Sequence, residues 1–196
     1  MLDPTASFAL ANRVAGEARG LGIQTALIGA SALAANNYLR GTVDMDLASR
    51  VDLPKLRELE SHLQKVGLRT RLSMPDEDDN LGGVLRVWER EDDEGDPIDV
   101  VEVVNFLNPF RPRPNPAADA IRNALPLDHA SELRYAQLAD LVALKLYAGA
   151  LRDLADVVEL LVHNPAADLD EIRTTCKRYG FDAVLEDLIS QAHQRR

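Results

Sequence analysis

Asp44 and Asp46 stand two residues apart in Asp44-Met45-Asp46-Leu47-Ala48-Ser49, a stretch whose alternation suits a β-strand. On a strand, residues two apart face the same way, roughly 7 Å from each other. Both carboxylates therefore leave one face while Met45 and Leu47 pack behind. Two like charges so placed are costly, and the usual solution is one or two hard cations held by oxygen ligands and by substrate phosphates. Ahead of the pair, residues 25–28 form a short, mainly apolar run ending at Gly29, and residues 31–39 are alanine-rich and helical in preference. A residue without Cβ at such a strand-to-helix turn lets backbone amides approach a phosphate, and the following helix N-terminus favours its charge. Ser31 adds a hydroxyl donor. Taken singly, each of these elements also reads as an ordinary capped turn or a chance acidic triplet.

A third carboxylate is needed to hold an activating metal. Asp99 interrupts the apolar run Ile98-Asp99-Val100-Val101, where an unpaired charge is expensive. Glu102 competes with it, and strand alternation puts the two on opposite faces, so both cannot serve one metal without a bulge. Asp99 is preferred, partly on the resemblance described below. Farther on, Lys145, Gly149, Arg152 and Asp156 follow one another at steps of 4, 3 and 4. That spacing forms one helical stripe if the helix continues through Gly149. Lys145 then binds a triphosphate as a point charge, Arg152 forks onto phosphate or Asp156, and Asp156 orients that fork. Surface ion pairs at helical spacing are the competing reading.

The rest of the chain reads as helices over 5–20 and 54–66, and strands over 68–73, 84–89 and 98–104. Residues 108–116, with four prolines, form an extended connector. From Ala136 onward the pattern is helical: 136–148, 151–163, 168–179 and 182–194. An α+β chain is expected, a mixed sheet flanked by helices over residues 1–125, with a C-terminal helical bundle over 126–196.

A strand ending in glycine and serine, a helix, Asp-x-Asp on the next strand and a later aspartate resemble the polymerase-beta-type nucleotidyltransferase superfamily. Leu144-Lys145-Leu146-Tyr147-Ala148-Gly149 and Arg152-Asp153-Leu154-Ala155-Asp156 are most similar to its toxin-type branch, the AbiEii and MenT-like proteins. The resemblance spans residues 23 to about 160. One departure is Ala30, where many relatives have a second glycine. The resemblance implies the nucleotidyltransferase fold and transfer of a nucleoside monophosphate from a nucleoside triphosphate to a hydroxyl. It also implies Mg²⁺ or Mn²⁺ on Asp44, Asp46 and Asp99, with Gly29, Ser31, Lys145, Arg152 and Asp156 around the nucleotide. The acceptor it implies is RNA, with an antitoxin as partner; the net acidity keeps a protein or small-molecule hydroxyl open as acceptor. A non-catalytic nucleotide- or partner-binding regulator is the alternative.

The formal charge of −10 argues against a dedicated nucleic-acid binder, although Arg40, Arg111, Arg113 and Lys145 are placed to gather local positive charge. The acidic runs at 76–79 and 89–96 read as solvated loops. No apolar run approaches the roughly 20 residues that cross a bilayer, and Cys176 has no second thiol. A cytoplasmic protein without membrane contact is expected. The four histidines lack metal-ligand spacing.

Overall fold

The fold is described from a computed structural model, over residues 4–41, 44–111 and 114–195. Helix α1 (Pro4–Gly20) is followed by β1 (Ala26–Leu27), α2 (Gly29–Ala35), β2 (Met45–Ser49), α3 (Leu53–Lys65), β3 (Arg69–Ser73) and β4 (Val84–Trp88). Then come β5 (Arg90–Glu91), β6 (Pro97–Ile98), β7 (Val101–Asn105), α4 (Ala117–Arg122), β8 (Leu125–Pro126) and β9 (Arg134–Tyr135). Four helices close the chain: α5 (Leu138–Ala148), α6 (Leu151–His163), α7 (Leu169–Lys177) and α8 (Asp182–Gln194).

Local chemistry sets these boundaries. Asp52 caps α3 by accepting from the Lys55 amide at 2.9 Å, Pro54 sits in its first turn, and Leu56, Leu59 and Leu63 form its buried stripe. Asp168 caps α7 in the same way, accepting from the Asp170 and Glu171 amides. Seven strands make one mixed sheet in the order β3-β4-β7-β2-β1-β9-β8, with β2–β7 and β1–β9 parallel; β5 and β6 form a separate hairpin. The edge strand β3 half-buries Thr70 and Leu72, while Arg69, Arg71 and Ser73 stay exposed. Helix α3 contacts β3, and α1 packs beside α3, so these two helices cover the face that carries Thr70 and Leu72. Helix α5 packs against α4, α6 and α7, and its Leu141, Leu144 and Lys145 line a cavity together with Asp46 and Val104 of the opposite face. Asp119 of α4 accepts from Arg178 at 2.6 Å and from the Tyr179 hydroxyl at 2.7 Å, which ties the end of α7 to the core.

The mixed sheet and the helical C-terminal part agree with the expected class. Four details differ. Helix α2 ends at Ala35, not 39, because the Asn36 amide folds back onto the Ala32 carbonyl and Asn37 takes a left-handed φ of 66°. The strand expected over 98–104 begins only at Val101, since Asp99 has a φ of 54° that no strand accommodates. The stripe from Lys145 to Asp156 is not continuous, because the break expected between 136–148 and 151–163 falls at Gly149, whose φ of 68° ends α5. Elements too short to show a period also appear, namely α4, β8 and β9, and β9 pairs with β1 across the expected boundary near residue 125.

Cys176 is fully buried, and burial followed by the nearby Asp140 charge pushes its thiol up to about 12. It is an inert core residue. Among the described residues no helix is long and apolar enough to cross a membrane. Arg113, together with Thr42, Val43 and Pro112, lies outside the described residues.

Candidate active site

Gly29 opens α2 with a φ of 55° directly beside β2, where Ile28 donates its amide to the Asp46 carbonyl at 2.9 Å. A Cβ at this position would run into the Asp46 carboxylate. The glycine is thus required twice, by its backbone conformation and by the side chain that leans across it. Gly29→Ala should cost about 1–3 kcal/mol of stability through left-handed strain and displacement of Asp46, read as a lower midpoint in urea. An unchanged midpoint would show that the carboxylate is free to move.

Asp46 has a neighbour that strand alternation alone left in second place. In the parallel pairing of β2 with β7, Asp46 stands directly opposite Glu102, and Val104 stands opposite Ala48 on the same face. Burial pushes the Asp46 carboxyl up, Glu102 and then Asp44 push it further, and Lys145 and Arg40 pull it down, leaving it at about 6. Glu102 itself faces Arg86 across the β4–β7 pairing, with 3.0 Å between carboxylate oxygen and guanidinium Nε.

Asp99 is engaged elsewhere. It is buried, accepts from the Ser7 hydroxyl of α1 at 3.2 Å, and binds Arg90 of the β5–β6 hairpin. The left-handed backbone that lets its carboxylate meet both partners also takes it out of the β7 ladder, so it does not join the carboxylates on β2 and β7. The third acidic group beside Asp44 and Asp46 is therefore Glu102.

The basic residues also regroup. Lys145 Nζ lies 2.8 Å from Asp153 Oδ1 and 2.8 Å from Asp156 Oδ2, and Arg40 reaches the same Asp156 oxygen at 2.5 Å. Breaking the helix at Gly149 is what turns Asp153 as well as Asp156 onto Lys145. Arg40 Nε is buried without a partner among the described residues. Arg152 is exposed and outside the cavity lining, and Arg111 binds the Asp78 carbonyl on a surface loop. Ser31 donates to the Met45 sulfur at 2.9 Å, on the side of β2 away from Asp46.

These groups border a cavity of about 370 Å³. Gly29, Asp46, Lys145 and Asp153 form its charged end, and Ile28, Val104, Phe106, Leu141, Leu144 and Tyr147 its apolar wall. Asp79, Asn80 and Leu81 close one side. That loop is held by Asn108, whose amide donates to the Asp76 and Asp79 carbonyls at 2.8 and 2.9 Å. Part of an acidic run expected to be solvated is thus cavity wall. The volume falls in the range of small-molecule sites, which combine apolar walls with a few convergent polar groups.

The donor chemistry suits a hard divalent cation. Asp44, Asp46, Glu102, Asp153 and Asp156 face Lys145, Arg40 and Arg86, a surplus of two negative charges when all are ionised. The raised Asp46 carboxyl shows that the cations at hand do not compensate it. Among the described residues no three carboxylate, imidazole or thiol groups are already drawn together as a metal cluster.

No known family profile matches the sequence, and no curated protein matches it. Solved structures do. An antigenic nucleotidyltransferase-like protein from Paracoccidioides brasiliensis superposes with a TM-score of 0.52 at 16% identity, over 94% of each chain. The antibiotic-resistance factor ANT(2'')-Ia, in its solution structure, superposes with a TM-score of 0.53 at 12% identity, over 99% of this chain and all of that one. At such identities the likeness is one of architecture, and it covers the sheet and the C-terminal helices together: the chain has the nucleotidyltransferase fold.

Proposed function

We propose that this chain transfers a nucleoside monophosphate from a nucleoside triphosphate to a hydroxyl acceptor, with Asp44, Asp46 and Glu102 as the acidic centre. The observation that carries this reading is Asp46 directly opposite Glu102 on adjacent parallel strands, against Gly29 and at the charged end of the cavity. The acceptor oxygen loses its proton and bonds to the α-phosphorus, the bond from that phosphorus to the bridging oxygen breaks, and pyrophosphate leaves. Glu102, partly exposed beside Arg86, takes the acceptor proton and passes it to solvent. Lys145 exchanges Asp153 and Asp156 for the triphosphate, since three donors on a flexible stem can follow the more highly charged anion. Arg40 stays with Asp156 and holds that carboxylate back. The apolar wall around Phe106 and Tyr147 receives the base and excludes water from it. A divalent Mg²⁺ or Mn²⁺ held by Asp44, Asp46 and Glu102 would supply charge neutralisation for the phosphates and activation of the attacking oxygen.

The closed pairs of Lys145 with Asp153 and Asp156 favour one competing reading, a fold that binds nucleotide or a partner without turnover. Pyrophosphate release from each of the four nucleoside triphosphates, with Mg²⁺ or Mn²⁺ and bulk RNA or protein as acceptor, separates the two. Release is expected from the wild type and not from Asp44→Ala; equal rates would defeat the enzymatic reading. The regulator predicts a rise in Tm with nucleotide and no release. The toxin-type assignment, with an antitoxin partner, rests on the segments at 144–149 and 152–156. Growth arrest on expression, relieved by Asp44→Ala, is its test.

A further inference from the structure

A second cavity, of about 490 Å³, opens where the end of α4, the start of α5 and α7 meet, and it shares no lining residue with the first. Helix α5 turns Leu141 and Lys145 to the first cavity and Ala139 and Asp140 to the second. Glu171 and Thr175 stand one turn apart on α7, hence on one helix face. Both line the second cavity, beside Asn123 and Arg178.

Thr175 is 5% exposed, yet its hydroxyl makes no hydrogen bond among the described residues. A helical threonine commonly returns its hydroxyl to the carbonyl one turn back. Here the side chain lines the cavity instead. A buried polar group without a partner is costly, so one set in a cavity wall marks where a ligand completes it. Asp140, 6% exposed, is half-satisfied in the same way: one carboxylate oxygen accepts from the Asn123 amide at 3.0 Å, and the other has no partner among the described residues. Burial pushes this carboxyl up, the Asn123 amide pulls it down, Asp119 and Glu171 repel its charge, and Arg178 attracts it. The Glu171 side chain makes no ion pair or hydrogen bond among the described residues, and Arg178 is already taken by Asp119. The other acids of the lining are engaged, since Asp168 caps α7 and Asp170 faces Arg173.

We infer that this cavity binds a small primary amine, its ammonium group held by Asp140, Glu171 and the Thr175 hydroxyl. A primary ammonium carries one positive charge and three N–H donors. It meets here a free carboxylate oxygen, a second carboxylate and a neutral acceptor, none of them satisfied by the fold. A bare divalent metal ion needs about six oxygen ligands, and among the described residues no three carboxylate, imidazole or thiol groups are drawn together to begin such a shell. The volume is that of a small-molecule site, and Asn123, Gln137 and Thr174 supply polar contacts along the amine's tail. The amine joins α5 to α7 and takes no part in the transfer proposed above, on which this inference does not rest.

The experiment is a two-dimensional ¹H–¹⁵N NMR titration of the full chain with putrescine, at neutral pH and fixed ionic strength, without nucleotide. Saturable shifts are expected at the amides of Asp140, Glu171 and Thr175. Tetramethylammonium, which has the charge but no N–H, should produce none of them. Thr175→Val and Glu171→Gln should each weaken binding by about tenfold, the scale of one hydrogen bond to a charged group, and Thr175→Ser should restore it. Glu171 is exposed, so its variant tests the site even if Thr175→Val disturbs the packing of α7. Asp46→Asn should bind as the wild type does, because the acidic centre on the sheet is not the site. The inference is overturned if no saturable shift appears, if tetramethylammonium reproduces the pattern, if the shifts centre on Asp46 and Glu102, or if Glu171→Gln binds like the wild type.

Discussion

Glu102→Gln should lower turnover by about 10²–10⁴-fold, the span that a positioned acid–base group typically contributes. The amide keeps the shape and the contact with Arg86 but can neither take the acceptor proton nor offer a charged oxygen beside Asp46. The fold should barely register the change, because the Arg86–Glu102 pair is partly exposed and such pairs are worth about 0–1 kcal/mol. Asp99→Asn should show the reverse split. Its buried carboxylate holds Ser7 and Arg90, so neutralising it should cost about 1–3 kcal/mol of stability while turnover per folded molecule stays near that of the wild type. Measuring pyrophosphate release and urea midpoints on both variants decides the matter. If Asp99→Asn loses turnover as Glu102→Gln does while remaining folded, the acidic centre belongs to Asp99 after all.

That contrast also marks how far the sequence reaches. The helices with clear stripes, α1, α3, α6 and α8, and the strands β2, β3 and β4 were legible because a period of 3.6 or 2 repeats long enough to be seen. Gly29 and the spacing of Asp44 and Asp46 were legible for a related reason, since local backbone needs and side-chain direction are short-range properties. The choice between Asp99 and Glu102 was not. Alternation showed that they face opposite ways, but which face meets Asp46 depends on the register of β7 against β2, a pairing between residues more than fifty positions apart. The left-handed φ of Asp99 left no mark either, because aspartate tolerates that conformation without being specific to it. The break between the helices at 136–148 and 151–163 was legible at Gly149, whereas the pairing of Lys145 with Asp153 and Asp156 across that break was not. Which acidic residues of α6 turn onto Lys145 depends on how α6 packs back onto α5.

Asp46→Asn should make the protein more stable than the wild type at neutral pH, and by an amount that depends on pH in a fixed direction. In the folded chain the Asp46 carboxyl titrates at about 6, against an ordinary value of 3.8, chiefly because it is buried and because Glu102 and Asp44 repel its charge. Below about pH 4 it is protonated in both the folded and unfolded states and contributes no difference. Between the two values the unfolded chain has released its proton while the folded chain keeps it, so stability falls as pH rises, and the loss is complete above about pH 7. A shift of this size corresponds to about 3 kcal/mol. Asparagine has no proton to lose, so urea midpoints of the two proteins should coincide near pH 4 and separate by up to that amount at pH 7.5, the variant being the more stable. Adding MgCl₂ at pH 7.5 should close part of the gap by raising the wild type alone, because a cation on the ionised carboxylate binds only the folded state. A difference that stayed constant from pH 4 to pH 7.5 would mean that Asp46 is not held in the crowded acidic setting from which its role is argued, and a gap that Mg²⁺ left untouched would remove it from the metal-holding set.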